Sequence, residues 1–183
     1  MIKKRAIVII DGSNFYHKLK SLNFHNLFSF DYNRFILSLT KSDKLIKKYF
    51  CIGKVKADQN DKKARKMMAD QQTLVSRLQK ENFIIQFGYL LKSENRYHEK
   101  GVDVQMAVDI LKGAYRDIYD NAYLLSSDFD LLPAIIEAQA IDKTVVYVGF
   151  RHKISYALLN NCKRNLFLEK KDVLPFLSTN DQR

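Results

Sequence analysis

Residues 121–133 read NAYLLSSDFDLLP, and this stretch joins a short apolar strand to two carboxylates and the start of a helix. Tyr123, Leu124 and Leu125 have the continuous apolar character of a strand that is buried on both faces. A helix-type sequence, LLPAIIEAQA, begins directly after Asp130. Carboxylates beside a buried strand are costly unless positive charge compensates them. We therefore interpret Asp128 and Asp130 as candidate functional residues.

The rest of the chain repeats this alternation of strand and helix. Apolar runs at residues 5–10, 49–57, 83–91 and 143–149 are predicted strands, and a helical pattern follows each of them along the chain. The polar stretch KSENRYHEKG, residues 92–101, is predicted to be a loop. Such alternation predicts right-handed crossovers, and hence a mostly parallel sheet with helices on both faces. No repeat and no domain boundary is visible, so residues 1–183 are predicted to form a single domain.

The charge of the chain favours a polyanionic partner. Lys and Arg number 31 against 20 Asp and Glu, which gives a net charge of +11. Such an excess attracts nucleic acid or an anionic membrane surface. No apolar run approaches the roughly 18 residues of a membrane helix, and the apolar run after the first basic residues is shorter than the ~7–15 residues of a signal peptide core. We therefore expect no membrane partner.

Cysteine and histidine usage argues against a thiolate or imidazole metal site. Cys51 and Cys162 are too few for a disulfide framework or a cysteine-rich zinc site. We interpret both as small core residues of a cytoplasmic protein. The four histidines are scattered without ligand-like spacing, so none is given a metal role.

A long basic helix is predicted after the second strand. Asn60 or Asp61 is its expected N-cap, and the helix runs to about Asn82. Its first turns carry Lys62, Lys63, Arg65 and Lys66, which either bind a nucleic-acid backbone or form a solvated face. Its predicted inner face carries Met67, Met68, Leu74, Val75 and Leu78.

Carboxylates gather at one edge of the predicted sheet. In a parallel sheet the strand-to-helix junctions all lie at the carboxyl ends of the strands, where ligands bind near the switch in strand order. The first junction supplies Asp11 and Asn14, the third supplies Asp103, and the fourth supplies Asp128 and Asp130. The same edge receives the start of the basic helix and, after the fifth strand, Arg151, His152 and Lys153.

Acids surrounded by bases are the arrangement expected for a divalent metal that acts on a phosphodiester. Oxygen ligands without a Cys or His cluster favour Mg²⁺ or Mn²⁺ over zinc. Each acid also has a structural alternative: Asp130 as a helix cap, Asp11 in an Asx-turn with Gly12, and Asp103 in the first turn of its helix. Their convergence on one edge favours the metal site. Asp109 lies about 9 Å along the helix from Asp103 and roughly 120° around it, so it is a supporting or structural candidate.

Three motifs resemble the NYN domain, a branch of the PIN-like nuclease superfamily that includes LabA-like proteins. They are IDGSN at 10–14, KGVDVQMAVDIL at 100–111 and SSDFDLLP at 126–133, and they match the family forms hDGxN, KxVDVxLAxD and SGDSDFxP in order and spacing. The resemblance covers about residues 5–150, with the C-terminal helices packing on that core. Two departures, Ser127 for Gly and Phe129 for a small residue, are expected to crowd Asp128.

The resemblance implies a three-layer α/β/α Rossmann-like (PIN-like) fold and metal-dependent cleavage, most often of RNA. It places the acidic site on Asp11, Asp103 and Asp128, with Asn14 and Asp130 assisting. The resulting hypothesis is a cytoplasmic Mg²⁺- or Mn²⁺-dependent ribonuclease, endonucleolytic by preference, whose single-stranded or structured RNA is held by the basic helix and by Arg151 and Lys153. PIN-like domains often dimerise, so the resemblance is also compatible with a homodimer. Two alternatives remain: an RNA-binding or interaction module with a weak or inactive site, and a Toprim- or phosphatase-like phosphotransfer enzyme.

Overall fold

A computed structural model describes residues 2–24, 29–55, 61–93 and 96–177, without the side chains of residues 89–93 and 96–99. Within these ranges the chain forms a seven-stranded sheet in the order β4-β3-β2-β1-β5-β6-β7. The strands are β1 (Arg5–Asp11), β2 (Lys44–Lys54), β3 (Phe83–Ser93), β4 (Arg96–Lys100), β5 (Asn121–Leu125), β6 (Thr144–Phe150) and β7 (Arg164–Leu168).

Helices cover both faces of the sheet. They are α1 (Gly12–Lys20), α2 (Tyr32–Leu39), α3 (Lys62–Lys80), α4 (Val102–Tyr115), α5 (Leu132–Ala140), α6 (Tyr156–Asn161) and α7 (Lys170–Val173). Alternate residues of β1 divide the core: Val8 and Ile10 pack with α1, α2 and α3, whereas Ile7 and Ile9 pack with α4, α5 and α6. The fold is therefore a three-layer α/β/α Rossmann-like fold, as predicted.

The strand order reverses beside β1. All neighbouring pairs are parallel except β3 and β4, so six parallel strands carry one antiparallel strand at an edge. The chain passes from β1 to β2 and β3 on one side, and α4 then carries it to β5 on the other side of β1. The carboxyl ends of β1 and β5 consequently form the switch point at which ligands bind in open α/β sheets.

The predicted loop at residues 92–101 is wrong. Residues 96–100 form β4, which pairs antiparallel with β3 from Tyr89↔Lys100 to Ser93↔Arg96. This polar strand lacks an apolar periodicity, but its backbone pairs with the otherwise open edge of β3. The second strand also begins earlier than predicted, at Lys44. Its first five residues, KLIKK, are exposed or partly exposed and therefore lack the continuous apolar run of a buried strand.

The predicted inner face of α3 is only partly buried. Leu78 is fully buried, and Asp61 caps the helix by accepting a hydrogen bond from the backbone N–H of Ala64 at 2.9 Å. The alternative cap, Asn60, lies outside the described residues. Met67 and Met68 are 44% and 41% exposed, contrary to the prediction. Both methionines line clefts that are open to solvent beside the end of β2, so they remain partly exposed.

Two further expectations have structural outcomes. Cys51 and Cys162 are both buried, as predicted, and burial raises the pKa of the Cys162 thiol to about 12. Within the described ranges, none of the helices has both the length and the apolarity that a membrane span requires.

An ion-pair network closes the amino edge of the sheet. The guanidinium of Arg5 lies 2.7 Å from Asp120 Oδ1 and 2.8 Å from Asp117 Oδ1. The backbone N–H of Arg5 also donates to Asp120 Oδ2 at 2.7 Å. These bonds join the start of β1 to the connection between α4 and β5.

This network should make stability depend on pH in the acid range. Hydrogen bonding to Arg5 lowers the pKa of Asp120 and holds the pKa of Asp117 at about 2. A carboxyl whose folded pKa is depressed stabilises the fold above its unfolded pKa, near 3.9, and loses that contribution as the pH falls through the folded value. In urea unfolding we expect Asp120→Asn to lose less free energy of unfolding than wild type between about pH 4 and about pH 2. Equal losses in the two proteins would contradict this assignment.

Candidate active site

Asp11 ends β1 and begins α1. Its Oδ1 accepts a hydrogen bond from the backbone N–H of Asn14 at 2.9 Å, so the carboxylate is the N-cap of α1. Gly12 follows at a point where a Cβ would lie 2.7 Å from the Phe50 ring. The glycine therefore lets the helix start directly above the end of β2. Capping therefore fixes the orientation of the carboxylate at the start of α1.

The pairing of β1 with β5 brings Ser126 to Asp11. Ile10 is paired with Leu125, so the residues that follow these two lie side by side at the switch point. The buried hydroxyl of Ser126 donates to Asp11 Oδ2 at 2.9 Å and accepts from the backbone N–H of Asp128 at 3.1 Å. One serine thus fixes the position of Asp11 relative to the turn that carries Asp128.

Asp103 reaches the same region from the opposite helix layer. It lies in the first turn of α4, which follows β4 through Gly101. Gly101 has a φ of +79°, in the left-handed region that glycine adopts without a steric cost. The backbone thereby turns sharply enough for Asp103 to follow β4 within three residues.

One pocket of about 640 Å³ collects these side chains. Asp11, Asp103 and Asp128 line it, although they come from different strand-to-helix junctions. We call it the acidic pocket, and Lys100 and His17, which were not predicted as site residues, also line it. Its lining residues are Asp11, Ser13, Asn14, His17, Lys100, Gly101, Val102, Asp103, Val104 and Asp128.

The two departures from the family motif differ in their effects. Ser127 Oγ lies 3.0 Å from Asn14 Nδ2 and 3.1 Å from Asn14 Oδ1, so its hydroxyl holds the Asn14 amide. Phe129 is 64% exposed and does not line the acidic pocket. The predicted crowding of Asp128 by Phe129 is therefore absent, and Ser127 acts on Asn14.

The donor set of the pocket fits a hard divalent cation, but the ligands are not closed into a cage. Carboxylate oxygens are the preferred ligands of Mg²⁺ and Mn²⁺. Across the described residues, no three His, Cys, Asp or Glu side chains are close enough together to hold an ion by themselves. Mg²⁺ sites commonly use one or two carboxylates and complete the shell with water and substrate phosphate, which is compatible with an open pocket of this kind.

Comparison with known proteins gives the family. The family model described as the NYN domain matches residues 5–169. This chain belongs to the NYN domain family. NYN domains are part of the PIN-like nuclease superfamily and are generally nucleases.

A solved structure supports the fold of this NYN domain. The crystal structure of a protein of unknown function from Vibrio parahaemolyticus is similar, with a TM-score of 0.67 and 20% sequence identity. The alignment covers 96% of this chain and 97% of that one. The comparison with curated proteins finds no match.

Asp130 lies outside the acidic pocket, unlike Asp11, Asp103 and Asp128. It is exposed and does not line the acidic pocket. Its backbone N–H donates to Asp128 Oδ1 at 3.0 Å, which makes Asp128 the N-cap of the short 3₁₀ turn at residues 129–131. In the described structure Asp130 therefore contacts the site with its backbone N–H.

The predicted RNA-binding cations lie around the carboxyl edge but outside the acidic pocket. Lys62, Lys63, Arg65 and Lys66 are exposed on the first turns of α3. Arg151 and Lys153 follow β6 in a 3₁₀ turn. Arg151 Nε lies 2.9 Å from Glu169 Oε1, and the Lys153 carbonyl accepts a hydrogen bond from Lys18 Nζ at 2.8 Å. Part of the positive charge of Arg151 is thus already paired.

Asp109 is a buried carboxylate of the NYN domain that does not line the acidic pocket. Its side chain is within the core, where Gln105 Nε2 donates to Asp109 Oδ2 at 3.2 Å and Gln86 also hydrogen-bonds to it. Only 6% of the residue is exposed. Burial raises the pKa of Asp109 above its usual value. The two hydrogen bonds and the charges of nearby Lys112 and Lys47 offset only part of this rise.

Asp109→Asn should stabilise the folded protein near neutral pH. A carboxyl whose folded pKa is raised loses stability as the pH rises from its unfolded value, near 3.9, through the folded value. An asparagine accepts the Gln105 hydrogen bond without ionising. We expect a higher free energy of unfolding for Asp109→Asn in urea titrations near neutral pH, with the difference shrinking on acidification. A less stable variant at neutral pH would show that the carboxylate charge is needed in the fold.

Proposed function

We propose that this NYN domain is a metal-dependent ribonuclease that cleaves RNA phosphodiester bonds in the acidic pocket. The observation that carries the proposal is the convergence of Asp11, Asp103 and Asp128 on one pocket at the switch point of the sheet. Strand-to-helix junctions of this type are where open α/β folds bind ligands. Family membership supports nuclease chemistry in general.

Asp11, Asp103 and Asp128 would hold Mg²⁺ or Mn²⁺. When bound, such an ion polarises phosphoryl oxygens and lowers the pKa of a coordinated water. The protein's contribution is to keep the carboxylates in place before RNA arrives. Capping of α1 and the hydroxyl of Ser126 do this for Asp11, and the backbone N–H of Asp130 does it for Asp128.

The other pocket residues would bind and orient the RNA. Lys100 lines the pocket together with the three carboxylates, and its ammonium group would contact a phosphate oxygen. Asn14 is held by Ser127 at the pocket wall and would orient either a carboxylate or the scissile phosphate. Asp130 would assist by fixing Asp128 through its backbone.

The exposed cations would hold the RNA backbone on either side of the acidic pocket. Lys62, Lys63, Arg65 and Lys66 form the first contact surface, and Arg151 with Lys153 forms the second. Backbone contacts of this kind make affinity fall steeply with salt, with a slope of about −0.7 per neutralised phosphate for single strands. Replacing Lys62 and Lys66 together by alanine should flatten that slope without changing sequence preference.

Incubation of purified protein with unstructured and hairpin RNA tests the proposed activity. Cleavage is expected with Mn²⁺ or Mg²⁺ and should stop when EDTA removes the ion. Products that appear at internal positions of an end-labelled strand would establish endonucleolytic action. Cleavage that continues unchanged in EDTA would contradict metal dependence.

A binding-only function is the second candidate, and the open ligand arrangement favours it. In the described parts of the chain the carboxylates do not form a preassembled cage, so the domain would bind RNA without cutting it. If wild type and the aspartate variants bind RNA alike and none of them cleaves it, this function replaces the ribonuclease proposal. Activity on a small phosphomonoester but not on RNA would instead favour a Toprim- or phosphatase-like enzyme.

A further inference from the structure

A second cavity lies beside the acidic pocket, between α1 and α3. Its volume is about 560 Å³, within the roughly 300–1,000 Å³ of small-ligand sites. The end of β2 forms its floor and the two helices form its walls. We call it the α1–α3 cleft and define it by Tyr16 and Lys20 of α1, Phe50 and Ile52 of β2, and Lys63 and Met67 of α3.

The walls of the cleft present apolar side chains to solvent. Tyr16 on α1 is 37% exposed and Met67 on α3 is 44% exposed, while Phe50 below them is buried. An aromatic ring and a polarisable thioether on the walls of a slot suit a flat, unsaturated ligand. Aromatic side chains are the usual stacking partners of unpaired nucleobases.

The shape of the cleft is fixed without a ligand. Gln71 of α3 accepts a hydrogen bond from the backbone N–H of Val55 at 2.9 Å through its Oε1. Its Nε2 donates to the carbonyl of Gly53 at 2.8 Å. These two bonds hold α3 to the end of β2, so a ligand does not have to order the walls, and this lowers the entropic cost of binding.

Charge and position connect the cleft to the acidic pocket. Ser13 and His17 line both cavities, so the two are continuous along α1. Lys20 and Lys63 are exposed cations at the cleft, and Asp70 is a carboxylate that also lines it. Two lysines beside an apolar slot suit a ligand that joins a flat apolar ring to an anionic backbone.

We propose that the α1–α3 cleft holds one unpaired nucleobase of an RNA strand whose neighbouring phosphate lies in the acidic pocket. The inference rests on the proposed ribonuclease function and adds a base-binding subsite beside the acidic pocket. A base inside a duplex has to be unpaired and unstacked before it can enter. The cleft therefore selects against duplex RNA.

Binding measured in EDTA separates this inference from cleavage. The probe is a fluorescently labelled RNA of about 12 nucleotides, within the range that single-strand sites cover, offered unpaired, as a duplex, and with abasic positions. Wild type should bind the unpaired strand more tightly than the duplex or the abasic strand. Tyr16→Ala should lose about thirtyfold in affinity for the unpaired strand, the middle of the range for one stacked base, whereas Tyr16→Phe keeps the ring and the affinity.

A pair of neighbouring methionines supplies a matched control. Met67 lines the cleft, and Met68, similarly exposed on the same helix, lines a different cavity with Phe87. Met67→Glu places a carboxylate against the bound strand and should weaken binding at least as much as Tyr16→Ala. Met68→Glu changes the net charge equally and should bind more tightly than Met67→Glu. Circular dichroism of all variants verifies that the fold is retained.

The outcomes of binding and cleavage are distinguishable. If Tyr16→Ala and Met67→Glu bind the unpaired strand as wild type does, the inference is wrong, and metal-dependent cleavage is judged separately. Equal binding of unpaired and abasic strands also overturns it. Loss of binding in both variants supports the inference whether or not the strand is cut. An apolar peptide that binds the cleft while RNA does not would overturn the inference and leave the cleavage assay to decide the ribonuclease proposal.

Discussion

Asp11→Asn and Asp128→Asn should each reduce metal-dependent RNA cleavage by more than about a hundredfold, because loss of even an outer partner of a metal ligand typically costs 10–100-fold. Asparagine keeps the size of the side chain and one oxygen acceptor, so the cap of α1 can persist. What the variants lose is the negative charge that would bind the ion. Single-turnover cleavage at saturating Mn²⁺ measures the effect.

Asp130→Asn is the matched control for Asp128→Asn. The two aspartates are separated by one residue, but Asp130 is exposed and contributes its backbone N–H, which the substitution preserves. Its cleavage rate should therefore fall much less than that of Asp128→Asn. Equal losses in the two variants would show that the carboxylate of Asp130 takes part directly. Unchanged cleavage in Asp11→Asn and Asp128→Asn would show that RNA is not cleaved in the acidic pocket.

Ser126→Ala should reduce cleavage by about 10–100-fold, the range found when a partner of a metal-binding side chain is removed. The hydroxyl joins Asp11 Oδ2 to the backbone N–H of Asp128, so its loss frees both carboxylate-bearing segments. It also removes the acceptor of that partly buried N–H, at a cost of up to about 1–3 kcal/mol. Cleavage kinetics and urea unfolding should be measured on the same preparation.

Ser127→Ala separates positioning from a general effect of removing a hydroxyl. Ser127 contacts the amide of Asn14 and makes no described hydrogen bond to a carboxylate of the site. Its variant should lose less activity than Ser126→Ala and should bind Mn²⁺ like wild type. If Ser126→Ala binds Mn²⁺ as tightly as wild type and cleaves at the same rate, the proposed positioning role is wrong.

The buried parts of the fold are predictable from sequence because both faces of a central strand require apolar residues. The runs at residues 5–10 and 143–149 are confirmed as β1 and β6 to within about one residue. The β4 strand escaped prediction because its pairing comes from the open edge of β3 and not from its own apolar pattern. Met67 was assigned to the core by helical periodicity, which gives the face of a helix but not whether a sheet extends beneath it.

The site is less predictable because it depends on register. The alternation of strands and helices, with Asp11, Asp103 and Asp128 at junctions, predicted that they would lie at one edge, and the three line one pocket. The role of Ser126 could be recognised only from the strand register, in which Ile10 pairs with Leu125. Lys100 stands three residues before Asp103 in a quoted motif, and that proximity was a signal for it. The position of Asp130 outside the pocket follows from the 3₁₀ turn, which the sequence pattern did not distinguish from a helix start.

Anomalous diffraction from crystals soaked in Mn²⁺ tests the central claim most directly. The proposed site predicts a manganese peak in the acidic pocket, with oxygens of Asp11, Asp103 and Asp128 around it at about 2.1 Å or through bound water. The peak should disappear from crystals of the Asp11→Asn variant. Manganese bound away from this pocket, or an acidic pocket that stays empty at saturating Mn²⁺, would contradict the account.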